Sequence, residues 1–140
     1  MSSSTVNAQP AVAAAGRVLL AALFLVSGVQ KLFVPDMIQG YISSVGLPFP
    51  TLVYGITVVI EIGAGALLLV GFRTRLTAWV LAAFTVAAAL LFHRALGDPN
   101  QFVHFAKNLA IAGGLLHIAG IGAGAFSVDG YTLGGRRSPA

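Results

Sequence analysis

The stretch from Leu52 to Phe72, LVYGITVVIEIGAGALLLVGF, is long and apolar enough to cross a bilayer, yet it carries Glu61 at its middle. A hydrocarbon core about 30 Å thick takes roughly 20 helical residues to span, which puts Glu61 near the midplane. An acidic side chain at that depth costs about 2.5–3.5 kcal/mol on insertion scales, so it faces a bundle interior, a partner side chain or a cavity. The rest of the chain is read for what it offers this carboxyl group.

The 140 residues suit a single domain. A hydrophobic content of 57% with only 9% charged residues excludes an ordinary soluble domain and indicates an integral membrane protein. With no cysteine, the chain can form neither disulfides nor thiolate metal sites. Its net charge of +4 sits at helix ends and in loops, which suits lipid headgroups and membrane orientation and not nucleic acid. The first sixteen residues lack a basic n-region, and the apolar run after them is too long for a signal peptide, so it is read as retained and spanning.

Outward from the central stretch, the organisation follows from turn signals. Residues 1–11 are polar and Ser-rich and read as disordered, residues 12–126 as a four-helix membrane domain, and residues 127–140 as a polar tail. The first span runs from Val12 to Val34 and stops before Pro35, which disfavours helical geometry in the residue it follows. Asp36 is then the expected N-cap of a short interfacial helix. The second span closes at Gly71-Phe72-Arg73-Thr74-Arg75, the third covers Leu76 to Phe92, and the fourth covers Phe102 to Gly124. Arg17, Arg73, Arg75, Arg136 and Arg137 collect at one end, so the positive-inside rule places both termini in the cytoplasm. Ala106, Ala110 and Gly114, with Gly120 and Gly124, recur every four residues, a spacing for close helix packing.

At 100° per residue, Tyr54, Thr57, Glu61, Gly65 and Leu68 fall on one face of the second span. On the first span Ser27 and Lys31 lie one turn apart, with Gln30 beside them. On the fourth, His104, Lys107, Asn108 and Ile111 share a face, while His117 lies elsewhere and is read as a hydrogen-bonded packing residue. Because side chains lean toward the helix N-terminus, Lys31 is the expected partner of Glu61, with Lys107, Asn108, His104 and His93 at the outer mouth. Each lysine also has a plain reading as a snorkelling side chain. Arg17, Arg73 and Arg75 read as topology anchors, with a lipid or ligand phosphate as a further reading for Arg17. No metal site is expected, and a bis-histidine haem on His93 and His104 is disfavoured by their position near the membrane surface.

Several segments in order resemble one family. They are Arg17, Ser27-Gly28-Val29-Gln30-Lys31-Leu32, Gly46-Leu47-Pro48, Glu61-Ile62-Gly63-Ala64-Gly65 and Gly71-Phe72-Arg73-Thr74-Arg75. Lys107-Asn108-Leu109-Ala110-Ile111-Ala112-Gly113-Gly114 and Phe126-Ser127-Val128-Asp129 complete the set. Together they make residues 14–130 similar to the DoxX family of four-helix bacterial membrane proteins. The resemblance implies a left-handed all-α bundle of four transmembrane helices in the bacterial inner membrane. It also implies a quinone-linked oxidoreductase setting, since the family includes a subunit of thiosulfate:quinone oxidoreductase.

The expectation is a cavity between spans one, two and four that holds a quinone or other lipophilic ligand. Glu61 and Lys31 are its candidate catalytic residues, and Ser27, Gln30, Tyr54, Thr57, His104, Lys107 and Asn108 are candidates for binding. Two other readings stand beside it: a non-catalytic membrane adaptor, and a binder of a sulfur oxyanion at the outer face through Lys31, Arg94 and Lys107. Expected partners are membrane lipids, a lipophilic small molecule, a soluble oxidoreductase or sulfur-metabolism protein, and further copies in a homo-oligomer; nucleic acid is not among them.

Overall fold

A computed structural model describes residues 3–134, with side chains from residue 9 onward; residues 1–2 and 135–140, including Arg136 and Arg137, fall outside the described residues. The protein is an all-α membrane protein with four helical segments apolar and long enough to cross a bilayer. These are Gln9–Phe33, Pro50–Val70, Thr74–Phe92 and Pro99–Ile121. The helix of the first span, α1, runs Ser3–Phe33 and so begins ahead of the expected start at Val12. Alanines 11 and 13–15 favour helix, so the helix continues through Pro10 and takes in most of the segment read as disordered.

Helix α2 spans Pro35–Ser44. Pro35 occupies its first turn, where a missing N–H costs nothing, and Asp36 makes no capping bond, which corrects the expected N-cap. The turn Gly46–Phe49 follows, with Phe49 left-handed at φ 53°, and leads into α3 (Pro50–Val59). The second span continues through a π-helical turn, Ile60–Ala64, into α4 (Gly65–Val70). It ends in a Schellman motif: Gly71, at φ 72°, donates to the Leu68 carbonyl at 3.2 Å, and Phe72 to that of Leu67 at 3.0 Å. Helix α5 covers Thr74–Phe92. Helix α6, Pro99–Ile121, is capped by Asp98, whose carboxylate accepts from Asn100 N at 2.8 Å and Gln101 N at 3.1 Å.

Packing within the bundle relies on small and branched residues. Ala21, Phe24, Leu68, Ala78, Leu81, Ala82, Leu115 and Ala119 form the core, while large apolar side chains such as Leu19, Leu52 and Trp79 face outward. Lipid is as apolar as leucine, so close contact and not burial from water holds such helices together. α5 and α6 make the most extensive pair; α1 packs on α4 and on the π turn, and only lightly on α6. The stripe read as packing surface serves only in part: Ala106 and Ala110 are exposed, whereas an added Cβ at Gly114 would lie 3.4 Å from Leu20 of α1 and one at Gly124 3.5 Å from Ala13.

The end of the bundle near the termini is tied by a clip that the sequence reading missed. Arg17, read as an anchor, is buried at 4% exposure and donates to the Ala123 carbonyl at 3.2 Å and the Phe126 carbonyl at 2.7 Å. Within the segment read as a polar tail lies a short helix, α7, Val128–Gly134. There Asp129 accepts from Arg73 N at 2.9 Å and Thr74 N at 2.8 Å, capping α5 from a distant part of the chain. Burial raises the Asp129 carboxyl, but the Thr74 and Arg73 bonds and the nearby Arg17 charge outweigh it and hold the group below its ordinary value. Gly71 has no side chain because a Cβ there would strike Arg17 and Ser127.

Candidate functional site

The site begins with a departure from regular helix. A π-helical turn, rare in proteins and concentrated at functional places, carries Glu61 at its second position. It lies against Gly28 of α1, where a Cβ would come 2.7 Å from Ile62 Cγ1 and 3.0 Å from Glu61 Cβ. Glycine at this position is therefore what lets α1 approach the carboxyl-bearing turn. Gly28→Ala is expected to cost about 1–3 kcal/mol by overpacking. Gly16→Ala, where the new Cβ has no neighbour within 4 Å, should be neutral or mildly stabilising; thermal unfolding in detergent compares the two.

Flanking Gly28, Ser27 and Lys31 meet Glu61, which is only 5% exposed. The Lys31 ammonium donates to both carboxylate oxygens, at 3.0 Å to Oε1 and 2.9 Å to Oε2. It also donates to Ser27 Oγ at 2.7 Å, and Ser27 donates to Glu61 Oε1 at 3.2 Å. Lys31 belongs to the last turn of α1, whose carbonyls lack helical partners. Tyr54 from α3 uses this, donating its hydroxyl to the Lys31 carbonyl at 3.1 Å. Among the described residues, Lys31–Glu61 is the one ion pair within 4 Å.

This cluster forms one wall of a cavity of about 320 Å³. Ser27, Lys31, Thr57 and Glu61 face it from spans one and two, and Lys107, Asn108 and Ile111 from α6. Phe84, Thr85, Ala88 and Phe92 of α5 complete it, so span three joins spans one, two and four, the three expected to form the cavity. Helix α2 covers the mouth: Tyr41 stacks on Phe92 with ring centroids 5.6 Å apart and donates its hydroxyl to the Phe92 carbonyl at 2.9 Å.

The remaining candidates are more scattered. Gln30 is exposed on the outer surface of α1, because its direction differs by about 100° from that of Lys31. His104 stands behind the cavity wall, stacked on His93 with centroids 5.1 Å apart, and Lys107 Nζ lies 3.4 Å from its Nδ1. Rings stacked face to face direct their nitrogens sideways, so the pair does not grip a common iron. Of the three cations of the oxyanion reading, Lys31 and Lys107 face the cavity, with Lys31 held by Glu61, while Arg94 stands apart and reaches the Val45 carbonyl at 3.5 Å. His117 is exposed, which differs from the packing residue expected there.

Comparison with known proteins agrees with this architecture. The chain is 36% identical over 113 residues to the inner membrane protein YqjF of Escherichia coli, covering 81% of this chain and 85% of that protein. It is 34% identical over 128 residues to the inner membrane protein YphA of the same organism, covering 87% and 91%. A membrane protein of Mycobacterium tuberculosis, Rv3486, is 31% identical over 124 residues, covering 81% and 76%. No solved structure matches the chain. The family model for DoxX matches residues 12–94, a stretch that holds both Lys31 and Glu61 and ends just past α5. The chain therefore belongs to the DoxX family.

Proposed function

We propose that the protein binds a quinone-class ligand in the cavity beside Glu61 and serves as a component of a membrane oxidoreductase. The observation that carries this reading is a carboxylate–ammonium pair near mid-membrane, opening on an aromatic-walled cavity. Its 320 Å³ lies at the small end of ligand sites, about 300–1,000 Å³, which suits a ring headgroup with its tail running out among the helices. Asn108 and Lys31 offer N–H donors to the ring carbonyls, and Phe24, Phe84 and Phe92 supply flat apolar contact. Reduction of a quinone consumes two electrons and two protons. The electrons come from a soluble oxidoreductase partner, and Glu61 passes on protons beside the Lys31 ammonium.

Purified protein in nanodiscs is expected to retain about one quinone per chain through saturable binding. Asn108→Leu should weaken it about tenfold, the loss of one good hydrogen bond, and Glu61→Gln should bind quinone yet stall its proton-coupled reduction in the reconstituted complex. Absence of saturable quinone binding would remove the mechanism.

The same reading places the protein in the bacterial inner membrane with both termini cytoplasmic. What supports this orientation is the concentration of Arg17, Arg73 and Arg75 at one end, against Arg94, Lys107 and a Lys31 neutralised by Glu61 at the other. A cysteine-free chain makes the test simple. In intact cells a membrane-impermeant maleimide should label Leu96→Cys, whereas Thr132→Cys should react only after lysis; the opposite pattern would invert the topology.

A further inference from the structure

Far from the Glu61 cavity, the bundle end near the termini carries an open recess of about 810 Å³ bordered by Arg73, Thr74, Arg75, Gly122 and Asp129. Beyond Gly122 and Ile121, which border both, lies a cleft of about 490 Å³ between α1 and α6. Its walls are mostly apolar, from Val12, Gly16, Leu20, Gly114 and Ile118, with Gln9, Arg17 and His117 as the polar exceptions.

We propose that recess and cleft together hold one phospholipid with an anionic headgroup, its phosphate on Arg73 and Arg75 and one acyl chain between α1 and α6. Among the described residues neither guanidinium has a hydrogen bond or an ion pair. Asp129, which also borders the recess, forms no ion pair within 4 Å with either guanidinium; its oxygens accept from the Arg73 and Thr74 amides. Arg75 lies close over the backbone of Gly122, where a Cβ would be 3.4 Å from its Nε, so its charge sits at the seam between recess and cleft. One buried polar atom borders this seam without a partner among the described residues: Arg17 Nε, on a residue 4% exposed that borders the cleft. A planar guanidinium pair suits a phosphate. The apolar cleft beside it selects a lipid over a free anion.

Native mass spectrometry of the purified full chain, offered equal amounts of phosphatidylglycerol and phosphatidylcholine, reads the preference directly. Two arginines near a membrane surface should favour the anionic lipid by about tenfold. Arg73→Gln with Arg75→Gln should abolish that preference, and Arg94→Gln, at the other end, should preserve it. Gly16→Leu fills the cleft and should reduce phosphatidylglycerol adducts while leaving inorganic phosphate binding unchanged. Equal retention of the two lipids by the wild-type chain would overturn the proposal whatever the variants do. Displacement of phosphatidylglycerol by inorganic phosphate, with adducts unaffected by Gly16→Leu, would overturn it in favour of a free anion.

Discussion

Lys31→Met should destabilise the bundle by about 3 kcal/mol, toward the lower end of the roughly 3–5 kcal/mol expected when one partner of a buried pair is removed. The lower end applies because the Lys31 side chain is 21% exposed, so some screening survives, while that of Glu61 is only 7% exposed. The variant leaves the carboxylate with the Ser27 hydroxyl alone, at 3.2 Å. Adding Glu61→Gln should recover most of the loss, because methionine and glutamine fill the space without an unpaired charge. Steric-trapping measurements of unfolding in bicelles provide the double-mutant cycle, with a coupling of about 2 kcal/mol expected for residues in direct contact. A single Lys31→Met change within 0.5 kcal/mol of wild type, about the scatter of surface substitutions, would mean that the ion pair does not hold the two helices.

At the opposite end, Arg17→Met is expected to cost about 3 kcal/mol. Two charge-assisted bonds to the Ala123 and Phe126 carbonyls, at 3.2 and 2.7 Å, disappear together. Arg17→Lys should recover little, since one ammonium cannot reproduce the fork that spans two carbonyls. Thermal unfolding reads the loss, and limited proteolysis between Gly122 and Gly130 should quicken in both variants. Unchanged cleavage there would show that other contacts secure α7.

The site was legible in the sequence where helical periodicity alone decides geometry. Tyr54, Thr57 and Glu61 share a face because residues three and four apart do so on any helix, and Ser27 and Lys31 are neighbours for the same reason. Periodicity gives less about which face turns inward, because lipid and bundle interior are equally apolar. The sequence therefore assigns no role to Phe84 and Phe92 of α5, although they wall the cavity, and Ala106 and Ala110 resemble a packing stripe although they face outward. The π turn at Ile60–Ala64 changes only how the backbone winds and has no side-chain signature. The Arg17 clip joins residues 106 and 109 positions apart, beyond the reach of any local pattern.

That separation also has a consequence in time. A ribosome adding about 5–20 residues per second takes roughly 5 to 20 s to make the intervening chain. Throughout this interval the first helix is already made, while the carbonyls that receive its guanidinium do not yet exist. The newborn helix must therefore keep Arg17 hydrated at the membrane surface during biogenesis, and the clip can close only late, after the fourth span has entered the bilayer.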